Sequence, residues 1–329
     1  MKTKEIEDNN NEGVITTFRH SLDSIPLDLI SDILLKFPAK SLVEFTCVSN
    51  TWYSIIRSQM FIKTFMSMSI SRPRILLTFK RNHNNDNELL FFSSPHTSQV
   101  SNDSSSVVSR HEMTISRTSP GDYIIHSPSV RGFLCCSHQH QYMVCNPTTR
   151  QVINLPEDHG FDHGTMKCYM HLGYDPSMCI NWNVNNVLII RGGALKRFGQ
   201  IKTPGENFTC LANYKGKLAG LSLLGNSFNL WVLEDVKEQA WSKTDTFVLS
   251  HTLWDLQLKF SGTTDAGELV FAPSSFSDDF DVFYFDIKEK TMRRIKVEGV
   301  TNDEEFRCRR KHLCYVSISC DHVENIYMY

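Results

Sequence analysis

Hydrophobic periodicity changes once along this chain, at Pro73, and the change constrains its architecture more than any other feature. Before it, in "SIPLDLISDILLKFPAKSLVEFTCVSNTW" (24–52), Ile30, Ile33, Leu34 and Phe37 recur at the i, i+3, i+4, i+7 spacing of one helical face. Asp28, Ser31, Asp32 and Lys36 lie on the opposite side. The spacing predicts a helix from about Pro26 to Lys36, capped by Ser24 and stopped by Pro38, because the residue before a proline avoids helical angles. A second helix is expected over 40–48 and a third through Trp52, Ile55 and Ile56, continuing or restarting through Phe61, Ile62, Phe65 and Met66. After Pro73 the apolar residues come instead in short runs such as "RILLTF", "ELLFF", "GFLCC", "QYMVCN", "KLAGLSLL", "NLWVLE", "ELVFA" and "VFYFDI". These are rich in β-branched and aromatic residues and bounded by Gly, Asn, Asp, Ser or Pro, the pattern of an all-β domain.

A helical unit of roughly 45 residues buries too little of its own surface to be comfortably stable. No cysteine pair or metal-ligand set lies within it to act as a staple. Part of its apolar surface therefore belongs either to the larger domain of the same chain or to another protein. Helical periodicity does not choose between them.

Within the β region a weak repeat is visible in "RGFLCCS", "KGKLAGLS" and "AGELVFAP", where Gly132, Gly216 and Gly267 each lead into a strand. Their separations fit repeats of about 40 to 50 residues, the size of a propeller blade, although periodicity alone leaves a β-sandwich open. The serine-rich stretch 93–109 is expected to be a mobile loop and residues 1–20 a disordered tail.

A net charge of -2 lacks the positive potential that nucleic acid or an anionic membrane selects. The start "MKTKEIEDNNNEG" has no apolar leader segment, and no apolar run is long enough to cross a bilayer. An intracellular location, nucleus or cytoplasm, is expected, with the ten cysteines reduced and the sequon at Asn207 unmodified.

Catalytic patterns are weak. In "GLSLLG" (220–225) Leu224 stands where a nucleophile elbow needs its second glycine, so Ser222 reads as a strand residue. "RGGALKRFG" has no Gly-Lys-Ser/Thr to cradle phosphates. Cys135, Cys136, His138, His140 and Cys145 form the densest set of metal-ligand types, but adjacent strand residues face opposite ways and no CxxC pair is present. His159 and His163 are assigned to a surface loop, and the basic "RCRRKH" (307–312) is offset by "NDEE" just before it. Of Trp182, Trp231, Trp241 and Trp254, at least two are expected in the core.

The order "IP-x-x-L-x-x-x-IL-x-x-FPAKSL … CVSNTW" closely resembles an F-box, the module that joins a substrate receptor to the Skp adaptor of a cullin-RING ubiquitin ligase. The resemblance spans 21–66 and implies an adaptor-binding set of Ile25, Pro26, Leu29, Ile33, Leu34, Leu42, Val48 and Trp52, with Ile25 replacing the family's usual leucine. "VCNPTTRQVINLP", "LGYDPS", "LANYKGKLAGL", "LWVLEDVKEQAWSK", "GTTDAGELVFAP" and "VFYFDIKEKTMRRIKVEG" resemble successive segments of the plant F-box-associated domain. That likeness implies a propeller-like (kelch-like) β domain over 73–329, so the chain as a whole would be a small α unit followed by an all-β domain.

The segment from Asp175 to Glu206 is shorter than the family pattern, which implies a domain about one blade short. The resemblance carries no catalytic residue, cofactor or metal. It implies a non-catalytic substrate-recognition subunit whose partners are the adaptor, through it cullin and RING subunits, and a target protein. Two rivals stand beside it. One is a small-propeller enzyme such as a glycoside hydrolase, which would need two carboxylates roughly 5–10 Å apart. The other is a degenerate member that binds adaptor but no target.

Overall fold

The computed structural model describes residues 25–83, 86–95, 105–108, 110–117, 121–125, 128–139, 141–155, 171–174, 187–191, 194–198, 208–224, 227–235, 238–248, 258–264, 266–276, 280–300 and 315–327. Four helices come first: α1 (Leu27–Leu34), α2 (Ala39–Phe45), α3 (Asn50–Ile56) and α4 (Gln59–Ile70). Pro26 is the N-cap residue of α1 and Pro38 that of α2, each in extended backbone and without a side-chain cap. The expected cap Ser24 lies outside the described residues. Ser49 and Ser58 do cap α3 and α4, accepting from the backbone N–H of Trp52 (3.1 Å) and Phe61 (3.2 Å). Among the described residues, no helix is long and apolar enough to cross a membrane.

Twenty strands follow. They are β1 (Arg74–His83), β2 (Asp86–Pro95), β3 (Ser105–Val108), β4 (Arg110–Arg117), β5 (Tyr123–Ile125), β6 (Leu134–His138), β7 (Gln141–Asn146), β8 (Gln151–Asn154), β9 (His171–Tyr174), β10 (Val187–Arg191), β11 (Ala194–Phe198), β12 (Phe208–Tyr214), β13 (Lys217–Leu224), β14 (Ser227–Asp235), β15 (Ala240–Val248), β16 (Leu258–Thr263), β17 (Leu269–Pro273), β18 (Phe280–Asp286), β19 (Thr291–Glu298) and β20 (Tyr315–His322). They form a first sheet β20-β1-β2-β4, a second β5-β6-β7-β8, a third β11-β10-β9, a fourth β12-β13-β14-β15 and a fifth β16-β17-β18-β19-β3. Four sheets thus hold an antiparallel run of four strands, the blade unit of a propeller, while the third holds three strands with β9 parallel to β10. β20 completes the first sheet beside β1, joining the end of the β domain to its beginning.

Alternation along each strand places the core between sheets. On β1, Ile75, Leu77 and Phe79 enter the cluster shared with Val282, Tyr284 and Ile295 of the fifth sheet. Leu76 turns the other way, toward Tyr123, Leu134 and Met143 of the second. Both faces of β1 are buried, which is why "RILLTF" reads as an unbroken apolar run. Between the fourth and fifth sheets Phe228, Phe247 and Phe285 stack in sequence, with centroids 5.5 Å and 5.1 Å apart.

The glycine repeat has a structural cause. Gly132, Gly216 and Gly267 occupy the same hairpin in three blades with φ of 86°, 82° and 88°. A second repeat sits at the hairpin between the third and fourth strands of the same blades. The side-chain oxygens of Asn146, Asp235 and Asp286 accept from backbone N–H groups two or three residues on. The turns close through the left-handed residues Arg150, Gln239 and Lys290.

One sequence expectation changes. Stretch 93–109 is not wholly a loop: 93–95 complete β2, and Ser105–Val108 pair in parallel with β19, binding the first blade's connection to the last blade. Trp231 and Trp241 are half-buried, Trp241 against the Phe208 ring at 5.1 Å, and Trp182 and Trp254, on which the expectation of two core tryptophans also rests, lie outside the described residues. The tail 1–20, His140, His159, His163 and "RCRRKH" also lie outside them.

Candidate adaptor-binding surface

Helix α1 is apolar on two sides. Ile30 and Leu34, four residues apart, point into a cluster with Ala39, Leu42, Ile56, Phe61 and Phe65. Leu29 and Ile33, also four apart, are 53% and 45% exposed on another face. The single stripe read from the sequence therefore divides: Ile30 and Leu34 fold the unit, and Ile33 and Phe37 face solvent. Seven of the eleven exposed large apolar side chains among the described residues, Leu27, Leu29, Ile33, Phe37, Val48, Tyr53 and Met60, belong to this helical unit. An accumulation of that kind marks an interaction surface.

The eight residues expected to bind the adaptor fall into two groups. Pro26, Leu29, Ile33 and Val48 are exposed and Ile25 is half-buried. Leu34 and Leu42 are 0% exposed in the helical cluster, and Trp52 packs on its edge. Trp52 stands edge-on to Phe45 at 5.1 Å, and Phe45 in turn to Phe37 at 5.1 Å, so this aromatic row braces the surface from beneath. Leu27, Phe37, Tyr53 and Met60 were not in the expected adaptor-binding set. Phe37 was read only as part of the helical stripe, and Tyr53 and Met60 stand on α3 and α4, where periodicity marks the buried face and leaves single exposed apolar residues unmarked.

The metal-ligand set comes apart in the structure. Cys135 packs with Phe133 and Val144 on one side of β6, and Cys136 with Met143 and Cys145 on the other, its Sγ 3.5 Å from that of Cys145. Burial pushes the Cys135 thiol well above its ordinary range. His138 lies over the Tyr123 ring at 4.9 Å. Ser222 is a buried strand residue of β13. Among the described residues no group of three His, Cys, Asp or Glu side chains is placed to hold a metal ion.

A family model of the F-box domain matches residues 22–64, and a model of the F-box associated beta propeller domain matches 74–183 and 195–323. The chain belongs to the F-box proteins that carry this propeller domain. The Arabidopsis thaliana F-box protein At1g30790 is 33% identical to it, covering 94% of this chain and 99% of that protein. F-box protein At5g65850 of the same plant is 28% identical, covering 92% and 90%. Both alignments, over 399 and 374 residues, are longer than this F-box protein, so its relatives carry sequence that it lacks. The propeller model breaks at 184–194, a gap that contains β10, the middle strand of the three-stranded sheet. A solved structure, dipeptidyl peptidase 4 of Porphyromonas gingivalis, matches at a TM-score of 0.28 and 10% identity over 67% of this chain and 38% of that one, too low to bear on fold or function.

Proposed function

We propose that this F-box protein is the substrate-recognition subunit of a Skp-cullin-F-box ubiquitin ligase, with its helices docking the Skp adaptor and its propeller holding a target protein for ubiquitination. The second apolar face of α1 carries the reading: Leu29 and Ile33 remain exposed after Ile30 and Leu34 have completed the helical cluster. Ile25, Pro26, Leu29, Ile33 and Val48 are the contact residues in this account. Leu34, Leu42 and Trp52 act through the shape of the surface above them. Cullin and RING subunits are reached through the adaptor, and the receptor contributes proximity, leaving transfer chemistry to them.

Among the described residues, the two glutamates buried below a tenth of their surface favour this over a hydrolase. Glu88 is paired with Arg81 and Glu112 with Arg110, so neither carboxylate is left available as an acid or nucleophile. The test is a pull-down of the full chain with a purified Skp-family adaptor. Leu29→Asp/Ile33→Asp is expected to weaken capture by about 100-fold or more, since charges in an apolar interface cost several kcal/mol. Ile124→Asp, at an exposed apolar site on the β domain, should leave it unchanged. Undiminished capture of the double variant would overturn the assignment of this face.

A further inference from the structure

The final described segment, His322–Tyr327, runs between the helices and the propeller and engages both. Toward the propeller, Ser129 Oγ and His322 Nδ1 are hydrogen-bonded at 2.8 Å, and Arg110 Nη2 donates to Glu324 Oε1 at 2.7 Å. Asn325 Nδ2 donates to the Arg131 carbonyl at 2.6 Å. Toward the helices, Ser69 Oγ of α4 donates to the Glu324 carbonyl at 2.8 Å. Ile326, 1% exposed, is the one β-domain side chain in the helical cluster among the described residues. The covalent link between the two parts is short, Ser71-Arg72-Pro73.

Two turn residues meet a second demand set by this segment. Asn146 caps its turn with Oδ1 as Asp235 and Asp286 cap theirs, but its amide also donates to the carbonyls of Asn325 (3.0 Å) and Tyr327 (3.2 Å). An aspartate could cap the turn equally well and could not make those bonds. Gly132 is the second choice. A Cβ there would lie 2.5 Å from Asn325 Cβ and 2.6 Å from the Val323 carbonyl oxygen, whereas at Gly216, the equivalent turn position, a Cβ would meet nothing within 4 Å.

We propose that residues 323–327, which follow β20, are a latch that holds the F-box at one angle to the propeller and that can release without unfolding either part. Released, the helices keep their own cluster and β20 keeps its pairing with β1, so the hinge is confined to 71–73. Neither the geometry nor the test depends on which protein binds the helices.

Hydrogen exchange and small-angle scattering on the full chain test it with two matched pairs. Asn146→Asp keeps the turn cap but sets a carboxylate against two carbonyls, and Asp235→Asn is its control. Gly132→Ala displaces the segment, and Gly216→Ala repeats the same positive-φ strain without doing so. The latch variants should exchange about tenfold faster or more at the end of α4 and at 323–327, with a larger radius of gyration, while β6 and β7 stay protected. The controls should match the native chain. Latch variants indistinguishable from their controls, or acceleration spreading through β6 and β7, would overturn the proposal; should Gly132→Ala fail to fold, Asn146→Asp decides.

Discussion

Arg81 and Glu88 face each other across β1 and β2, with side chains 2% and 6% exposed, and Ser116 donates to the remaining carboxylate oxygen at 3.2 Å. Removing one partner deprives a buried charge of its ion pair. Glu88→Gln is expected to cost about 3–5 kcal/mol in urea unfolding, and the double replacement Arg81→Met/Glu88→Leu markedly less; equal losses would show the pair acting through packing alone. His322 sets a different dependence. Burial, reinforced by Arg74, pushes its pKa from 6.5 down to about 3, so the folded chain keeps it neutral where the unfolded chain takes up a proton. Its contribution is complete above pH 6.5 and falls as the pH drops toward 3, by about 1.4 kcal/mol per unit. Comparing urea midpoints at about pH 7.5 and 5.5, His322→Gln should show the smaller difference; an equal difference would place the acid sensitivity elsewhere. At this scale the sequence was partly legible. The opposed faces of Cys135 and Cys136 follow from strand geometry, whereas Leu34 and Ile33, adjacent and chemically alike, separate only when tertiary packing chooses which one is enclosed.

Among elements, the helices were legible to within a few residues because prolines and serines mark their ends. The strands were legible as runs, but their neighbours were not: the parallel pairing of β3 with β19 joins residues nearly two hundred positions apart and leaves no local mark in "SSVV". Within "RGGALKRFGQIKTPG" Ala194–Phe198 form β11 and pair with β10. Among the described residues it is an edge strand of a three-stranded sheet, with one hydrogen-bonded neighbour. Limited trypsin digestion of the full chain should therefore cut at Lys196 or Arg197 before any site between Lys215 and Arg294, because cleavage needs local opening and an edge strand of a smaller sheet opens more readily than the edge strands of four-stranded blades. Protection equal to that of β13–β19 would show the short sheet to be as firmly held as complete blades.

For the whole molecule, the sequence carried the order of parts, helices then blades, because the change of period at Pro73 is a physical boundary between two kinds of packing. It did not carry the relation between the parts. That relation rests on Asn146, Gly132 and Ile326, which look like an ordinary turn residue, a turn glycine and a terminal apolar residue until the chain end is laid across them. The β domain is tied shut twice between its first and last sheets, by β20 beside β1 and by β3 beside β19. The central claim is that a folded propeller carries helices whose outer apolar face is built for an adaptor. Isothermal titration of the full chain with a purified Skp-family adaptor at several temperatures tests it most directly. The account predicts one-to-one binding with a negative heat-capacity change, the mark of apolar burial, and its loss in Leu29→Asp/Ile33→Asp. A folded chain that gives no binding, or binding indifferent to that double substitution, would contradict it.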